Sequence, residues 1–131
     1  MVVEETQVPL VVAGGLPESK LRRVTAYIKG NLQRDLPLRE LAAVTHMSPF
    51  HFARLFKRAT GVSPHRFVLH RRIDAATALL TESDASITSI AHSVGFRTPS
   101  HFATTVRRFT GRTPSAYRGG RASGSIPTLP K

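Results

Sequence analysis

Between residues 17 and 118 the hydrophobic residues recur with the 3.6-residue period of amphipathic helices, and no segment of this region alternates in the manner of a strand. Six apolar faces are visible, and they contain Leu21, Val24, Tyr27, Ile28 and Leu32; Leu38, Leu41, Ala42 and Thr45; Phe52, Leu55, Phe56 and Ala59; Leu69, Ile73, Ala76 and Leu80; Ile87, Ile90, Ala91 and Val94; and Phe102, Val106 and Phe109. With a further start signal near residue 113, the pattern predicts an all-α fold of about seven helices.

Short polar signals mark where several of these helices begin and end. A Ser-Pro or Thr-Pro pair occurs at residues 48–49, 63–64, 98–99 and 113–114. The hydroxyl of such a pair can accept a hydrogen bond from the first turn, and proline suits the first helical position because its φ is preset. Gly61 and Gly111 follow the third and sixth faces, where glycine tolerates the left-handed conformation of a helix C-cap.

The chain contains two copies of one unit, offset by 50 residues. Residues 48–67 match residues 98–117, with the proline, histidine, phenylalanine, threonine and glycine positions kept. Upstream, residues 38–47 match residues 87–96, which leaves Arg97 as a single insertion in the second copy. Each copy therefore has a short helix, a tight connection and a second helix with a narrow apolar face.

That arrangement is typical of a helix-turn-helix unit, whose second helix can enter the major groove of DNA. A reading helix must present its early outward side chains to the base edges while its other face packs on its own domain. The outward rows are Phe50, Ala53, Arg54 and Lys57 in the first copy, and Ser100, Ala103, Thr104 and Arg107 in the second. The sequence thus predicts two helix-turn-helix units joined by a long connecting helix.

The expected organisation is a lead-in over residues 1–16, one domain over 17–118 and a flexible tail over 119–131. Within the domain, the first unit covers about 37–61, the connecting helix about 64–81 and the second unit about 86–111. A connecting helix of that length extends roughly 27 Å. We therefore expect its ends to hold the two reading helices about one groove repeat of roughly 34 Å apart.

Composition narrows the class of partner and of chemistry. The 131 residues suit a single domain, and 40% hydrophobic residues can form its core. With 19 Lys+Arg against 8 Asp+Glu, the net charge of +11 indicates a polyanionic partner. The chain has no cysteine, which excludes disulfides, thiolate nucleophiles and Cys-ligated metal sites. It has neither a signal peptide nor an apolar run long enough to span a membrane, so we expect a cytoplasmic protein and no membrane partner.

The six histidines suggest a metal site, but their spacing argues against one. His46 with His51, and His65 with His70, are five residues apart, and no carboxylate completes a ligand set. No serine lies in a glycine elbow or beside a histidine and acid pair. We therefore expect no cofactor, no metal, no catalytic residues and no enzymatic activity.

The residues also resemble a known family. Leu41-Ala42, residues 48–61, Ile90-Ala91, residues 94–96 and residues 101–118 are similar to the DNA-binding domain of AraC/XylS-type transcription regulators, over about 100 residues of the chain. In that family two helix-turn-helix units insert their recognition helices into adjacent major grooves. Carried over by position, the resemblance assigns base reading to Phe50, Ala53 and Arg54 in the first helix and to Pro99, Ser100, Ala103 and Thr104 in the second.

The residues at those positions give the two helices different capacities for hydrogen bonding to bases. Ala53 and Ala103 are too short to hydrogen-bond a base, and Pro99 offers no donor. We therefore expect Arg54 to read guanine and Phe50 to contact thymine methyl groups. Phosphate contacts are expected from Ser48, His51, Lys57, Arg58, Thr98, His101, Arg107 and Arg108.

Several of these residues have an alternative interpretation that the sequence leaves open. Arg54 can instead be solvated or bound to phosphate, Phe50 can make a satellite packing contact, and the two histidines can pack against their own unit. The basic pairs at residues 57–58 and 107–108 can form solvated faces, and Arg71 and Arg72 are expected to be surface or scaffold charges.

The leading hypothesis is a sequence-specific, double-stranded DNA-binding transcription regulator in the bacterial cytoplasm, associated with the nucleoid. The alternative is an architectural or weakly specific DNA-binding protein, which the charge alone favours. The resemblance also implies RNA polymerase as a partner. Family members usually carry a further ligand-binding or dimerisation domain, and no small-molecule effector site is evident here, so the chain is either a short stand-alone regulator or a fragment.

Overall fold

The computed structural model describes residues 15–123, with side chains described for residues 15–119. All regular elements in this part of the chain are helices, which confirms the all-α prediction. They are α1 (Glu18–Lys29), α2 (Leu38–Val44), α3 (Pro49–Thr60), α4 (Pro64–Glu82), α5 (Ile87–Ser93), α6 (Pro99–Thr110) and α7 (Pro114–Ser123).

All four Ser/Thr-Pro pairs begin a helix, as predicted. Their hydroxyl oxygens each accept a hydrogen bond from the backbone N–H three residues later, at 3.0–3.3 Å, in α3, α4, α6 and α7. Each bond satisfies one of the N–H groups that the first turn of a helix leaves without a backbone partner. Ser86 caps α5 in the same way at 3.0 Å, a start that the Ser/Thr-Pro pattern does not reveal.

The C-terminal ends of α3 and α6 are also built alike. Gly61 and Gly111 adopt left-handed backbone angles, with φ of 87° and 82°. One residue earlier, the hydroxyls of Thr60 and Thr110 lie 3.0 and 2.7 Å from the carbonyl oxygens of Phe56 and Val106. Each hydroxyl also accepts the N–H two residues later at 3.2 Å. The sequence repeat is therefore a repeat of structure down to individual hydrogen bonds.

The described residues form two compact units, of which the first contains residues 15–31 and 36–68. Its core is formed by α1, α2, α3 and the beginning of α4, and its buried residues are Leu16, Leu21, Val24, Ile28, Leu41, Ala42, Thr45, Phe52, Phe56, Ala59 and Val68. Phe56 lies 5.5 Å from Phe52 and 5.2 Å from Phe67 between ring centroids. Lys20 reaches from α1 to the end of α2, where its Nζ donates to the Thr45 carbonyl at 2.9 Å.

Leu16 corrects the boundary of the expected lead-in. Its side chain is fully buried, and its backbone N–H donates to the Leu55 carbonyl of α3 at 3.3 Å. The lead-in prediction was wrong at this residue because a single leucine before a proline gives no periodic signal, and its contact with α3 joins residues distant in sequence. Residues 1–14 lie outside the described part of the chain.

Of the described residues, the second unit contains 32–35 and 69–123. Its buried core consists of Ile73, Ala76, Leu80, Ile90, Ala91, Val94, Phe96, Phe102 and Val106. Phe109, expected in the core, is only partly buried, and its ring lies 4.6 Å from that of His70. Thr105, which is not part of the apolar pattern, is also buried, and its hydroxyl donates to the His101 carbonyl at 2.8 Å, so the buried group is hydrogen-bonded.

Arg118 fixes the C-terminal end of α4. Its guanidinium donates to the carbonyl oxygens of Leu80 at 3.3 Å and Ser83 at 3.0 Å, and it also contacts those of Leu79 and Ala85. A cation at this position satisfies carbonyls that the last turn leaves free and complements the negative end of the helix dipole.

The expected tail also needs a correction, because α7 continues through Gly119 and Gly120 to Ser123. Two adjacent glycines at residues 119–120 predict a helix end there, but glycine is only a weak helix former and does not prevent a helix. Residues 124–131 lie outside the described part of the chain.

Arg72 on α4 serves as the scaffold charge that the sequence suggests. Its side chain donates to the carbonyl oxygens of Leu32 at 3.1 Å and Arg34 at 2.8 Å, which holds residues 32–35 in the second unit. Burial lowers the pKa of the Arg72 guanidinium, and the nearby Asp35 carboxylate opposes that shift. An arginine keeps its charge at neutral pH even so, because its ordinary pKa lies far above neutral pH.

The turn between α2 and α3 and the turn between α5 and α6 each contain one residue with a left-handed backbone. This residue is His46 in the first unit, with φ of 61°, and Gly95 in the second, with φ of 97°. The next N–H then bonds back to the preceding helix, from Met47 to the Ala42 carbonyl at 3.1 Å and from Phe96 to the Ala91 carbonyl at 2.9 Å.

We expect the substitution His46→Gly to stabilise the protein by about 0.5–1 kcal/mol. A left-handed non-glycine residue costs about 1–2 kcal/mol, and part of that gain is lost because glycine is more flexible in the unfolded chain. Urea denaturation followed by circular dichroism measures the change. His46→Ala serves as the control, because it keeps the strain. Equal stability of the two variants would contradict the prediction.

Candidate nucleic-acid interface

Helix α3 divides into a buried face and an exposed basic face. Phe52, Phe56 and Ala59 are buried, whereas Phe50 remains 78% exposed. The charged residues Arg54, Lys57 and Arg58 are exposed, and Ala53 is half-buried among them. An aromatic ring left in solvent beside three cations is an arrangement suited to a polyanion that also presents apolar groups.

On α3 the structure brings together Arg54 and His51, for which the sequence predicts different roles. Arg54 Nη2 lies 3.5 Å from His51 Nδ1, and both side chains are exposed. Their i, i+3 spacing places them on the same face of the helix. That spacing was available as a signal in the sequence, but it does not reveal that the ring nitrogen faces the guanidinium.

Helix α6 has the same division with different chemistry. Phe102, Thr105 and Val106 are buried; Pro99, Ser100 and Thr104 are exposed; and Ala103 is half-buried. Arg107 and Arg108 are exposed in the last turn. The early part of this face thus presents hydroxyl groups and no cation.

The two equivalent histidines have different neighbours. His101 lies edge-on to Phe96, with ring centroids 5.2 Å apart. The residue equivalent to Phe96 in the first unit is Met47, and His51 contacts Arg54 instead. Both imidazoles are exposed, so each retains ring edges that face solvent.

Ser48 and Thr98, which the sequence assigns to phosphate, are the N-caps of α3 and α6. Their oxygens accept the N–H groups of His51 and His101, at 3.3 and 3.1 Å. Each hydroxyl still has a proton to donate. Capping and a phosphate contact are therefore compatible, and the positive end of the helix dipole favours an anion at the same place.

Acidic residues are absent from α3 and α6, as the sequences of the two helices show. In the described part of the chain acids occur on α1, α2, α4 and the connections near residues 35 and 84. Asp35 pairs with Arg97 at 3.2 Å, and Asp74 pairs with Arg71 at 2.9 Å. Neither α3 nor α6 therefore has an acidic side chain of its own beside its cations.

Residues 15–123 contain no group of three or more His, Cys, Asp or Glu side chains arranged to hold a metal ion. Within the same residues, no helix has the length and hydropathy that a membrane crossing requires.

Comparison with known proteins identifies the family. A family model described as a helix-turn-helix domain matches residues 41–120. The regulatory protein PocR of Salmonella typhimurium is 38% identical over 101 residues, which cover 77% of this chain and 33% of PocR. The chain thus spans about a third of the length of that relative.

Solved structures that resemble this chain support the same family assignment. An AraC-type transcriptional regulator from Chromobacterium violaceum has a TM-score of 0.76 at 29% identity, covering 82% of this chain and 96% of that one. The DNA-binding domain of AdpA, a global transcriptional factor solved with a target DNA, also has a TM-score of 0.76, at 32% identity over 80% of this chain and 95% of that one. The predicted resemblance is confirmed, and this chain belongs to the AraC-type helix-turn-helix family of DNA-binding transcriptional regulators.

Proposed function

We propose that the protein is a sequence-specific transcription regulator that inserts α3 and α6 into successive major grooves of double-stranded DNA. One observation supports this most directly: two helices with the same caps and an equivalent buried phenylalanine, Phe52 or Phe102, have exposed faces without acids whose outward residues differ. A protein that binds only phosphate does not require different outward residues on its two helices. A protein that reads a different base sequence with each helix does require them.

In this proposal α3 is the main reader of bases. Arg54 donates two parallel hydrogen bonds to a guanine, and Phe50 contacts a thymine methyl group. The exposure of the Phe50 ring supports its contact with DNA, because a ring that packed against its own domain would be covered. On α6, Ser100 and Thr104 offer hydroxyls, which accept or donate and so discriminate less strongly, while Pro99, Ala53 and Ala103 provide only close apolar contact.

Phosphate contacts would come from the residues that surround these rows. In the proposal the caps of the two helices donate at their N-termini, and the basic pairs hold the phosphates nearer the C-termini. The residues are Ser48, His51, Lys57, Arg58, Thr98, His101, Arg107 and Arg108.

The substitution Lys57→Ala is expected to weaken binding to every duplex by a similar factor and to lower the slope of log K against log salt by about 1. One lysine neutralises one phosphate, and releasing one fewer counterion changes the slope by about 0.9. A salt series with fluorescence anisotropy measures it. Lys29→Ala is the matched control, because Lys29 is an exposed lysine in the last turn of α1. An unchanged slope for Lys57→Ala, or an equal change for both variants, would remove Lys57 from the interface.

We further propose that this part of the protein acts by binding and catalyses no reaction, and that it works on nucleoid DNA in the bacterial cytoplasm. Its family and the relatives named above are transcriptional regulators, which supports a binding role. RNA polymerase is the proposed protein partner, on the family resemblance alone. We assign no effector site to residues 15–119.

Selection of preferred sites from a pool of random duplexes tests the proposed function. We expect one asymmetric site with two conserved segments about one helical turn apart, the segment read by α3 being the more strongly conserved. Recovery of no preferred site would favour an architectural, weakly specific DNA-binding protein. A site with one conserved segment would limit sequence reading to a single helix.

A further inference from the structure

We propose that His51 is a positioning residue that orients Arg54 for base reading, in addition to any phosphate contact it makes. The inference rests on the proposed function of Arg54. Its basis is the contact on the exposed face of α3, where Arg54 Nη2 lies 3.5 Å from His51 Nδ1.

Only one form of the imidazole can make this contact. An arginine has hydrogen-bond donors and no acceptor, so Nδ1 of His51 must accept, and the ring must be neutral with its proton on Nε2. That proton is then available at the opposite edge of the ring for an acceptor such as a phosphate oxygen. One side chain thereby links the DNA backbone to the guanidinium that reads the base.

The energetic reason is conformational. A solvated arginine side chain has many rotamers, and fixing it in one of them opposes binding. A neighbour that already restricts the guanidinium removes part of that cost, because fewer orientations remain to be lost in the complex. Bidentate contact with a guanine depends on the orientation of the planar group more than a contact made by a point charge does.

The second unit provides an internal comparison. His101 occupies the equivalent place on α6, and the residue three positions later is Thr104, which cannot form the same pair. His101 lies instead against the edge of Phe96, at 5.2 Å between centroids. The positioning role therefore belongs to the first unit, and His101 serves as a matched control.

The test compares His51→Ala, His51→Asn and His101→Ala on the selected duplex and on duplexes with the guanine read by Arg54 replaced. We expect His51→Ala to lower the preference for guanine about three- to fivefold, which lies within the range for loss of one modest hydrogen bond. His51→Asn should recover part of the preference, because its amide oxygen can accept from Arg54. His101→Ala should weaken binding to all of these duplexes by a similar factor, as loss of a phosphate contact does, without a specific loss at this base pair.

Combining His51→Ala with Arg54→Ala separates the two hypotheses. If Arg54 reads guanine and His51 positions it, His51→Ala causes no further loss of preference once Arg54 is absent. Full guanine preference in His51→Ala, together with a loss in Arg54→Ala, would overturn the positioning role and leave the proposed function intact. No loss of preference in Arg54→Ala would overturn the base-reading assignment on which the inference rests.

Discussion

Replacement of Arg54 by alanine is expected to weaken binding to the preferred duplex by about 1–3 kcal/mol and to remove the preference at one base pair. Arg54 is exposed on α3, so its loss should leave the stability of the protein unchanged. Competition binding with the selected duplex and its three single-base variants at that position measures both effects. Thermal unfolding followed by circular dichroism verifies the fold.

Lys57→Ala, on the same face of α3, serves as the contrasting variant, because loss of a phosphate contact weakens all four duplexes alike. If Arg54→Ala also weakens all four by one factor, Arg54 contacts phosphate, and the assignment of guanine reading to it is wrong. A preference that disappears at one base pair while the others keep theirs would establish it.

The substitution Gly95→Ala is expected to destabilise the protein by about 3 kcal/mol, the largest effect on stability that we anticipate for a single methyl group. Gly95 has φ of 97°, and a Cβ built at this residue would lie 2.3 Å from the Leu32 carbonyl oxygen and 2.8 Å from the Arg72 guanidinium carbon. Backbone strain contributes about 1–2 kcal/mol, and the overlap with a backbone atom that Arg72 holds in place adds a similar amount.

Gly111→Ala separates those two contributions within the same unit. Gly111 has nearly the same backbone angle, with φ of 82°, but nothing lies within 4 Å of a Cβ at that residue. Urea denaturation should therefore show a loss of about 1–2 kcal/mol for Gly111→Ala, from strain alone. If both variants lose the same free energy of unfolding, residues 32–35 move aside and the close approach at Gly95 does not contribute to the loss.

The elements could be predicted from the sequence largely because their signals are local. A hydroxyl before a proline caps its own helix, and a glycine after the last turn ends it, so the boundaries near residues 48, 63, 98 and 113 follow from a few neighbouring residues. The repeat added independent support, since each boundary occurs twice.

Contacts between distant residues could not be predicted in this way. Arg118 donates to carbonyls more than 30 residues earlier, and Arg72 binds residues 32 and 34, about 40 positions away. Both are arginines in a chain with 19 basic residues, and nothing in the local pattern distinguishes a scaffold cation from a DNA contact. The burial of Leu16 gives no local signal either, since its backbone partner is Leu55, 39 residues later.

The candidate interface was predictable in outline and not in detail. Helical periodicity places Phe50, Arg54 and Lys57 on the side of α3 opposite the buried aromatics, and the structure exposes all three. The sequence alone does not show which neighbour each histidine contacts: His51 lies beside Arg54, whereas His101 lies against Phe96. Side-chain partners on an exposed face are set by such neighbours.

The matching ends of α3 and α6 have an evolutionary consequence. Both helices are held by the same small set of residues, a capping hydroxyl with its proline, a buried phenylalanine and a threonine followed by glycine, and none of these belongs to the outward rows. Outward positions can therefore mutate with little loss of stability. After the duplication, the two copies could acquire different preferences one substitution at a time while the ancestral frame kept every intermediate folded.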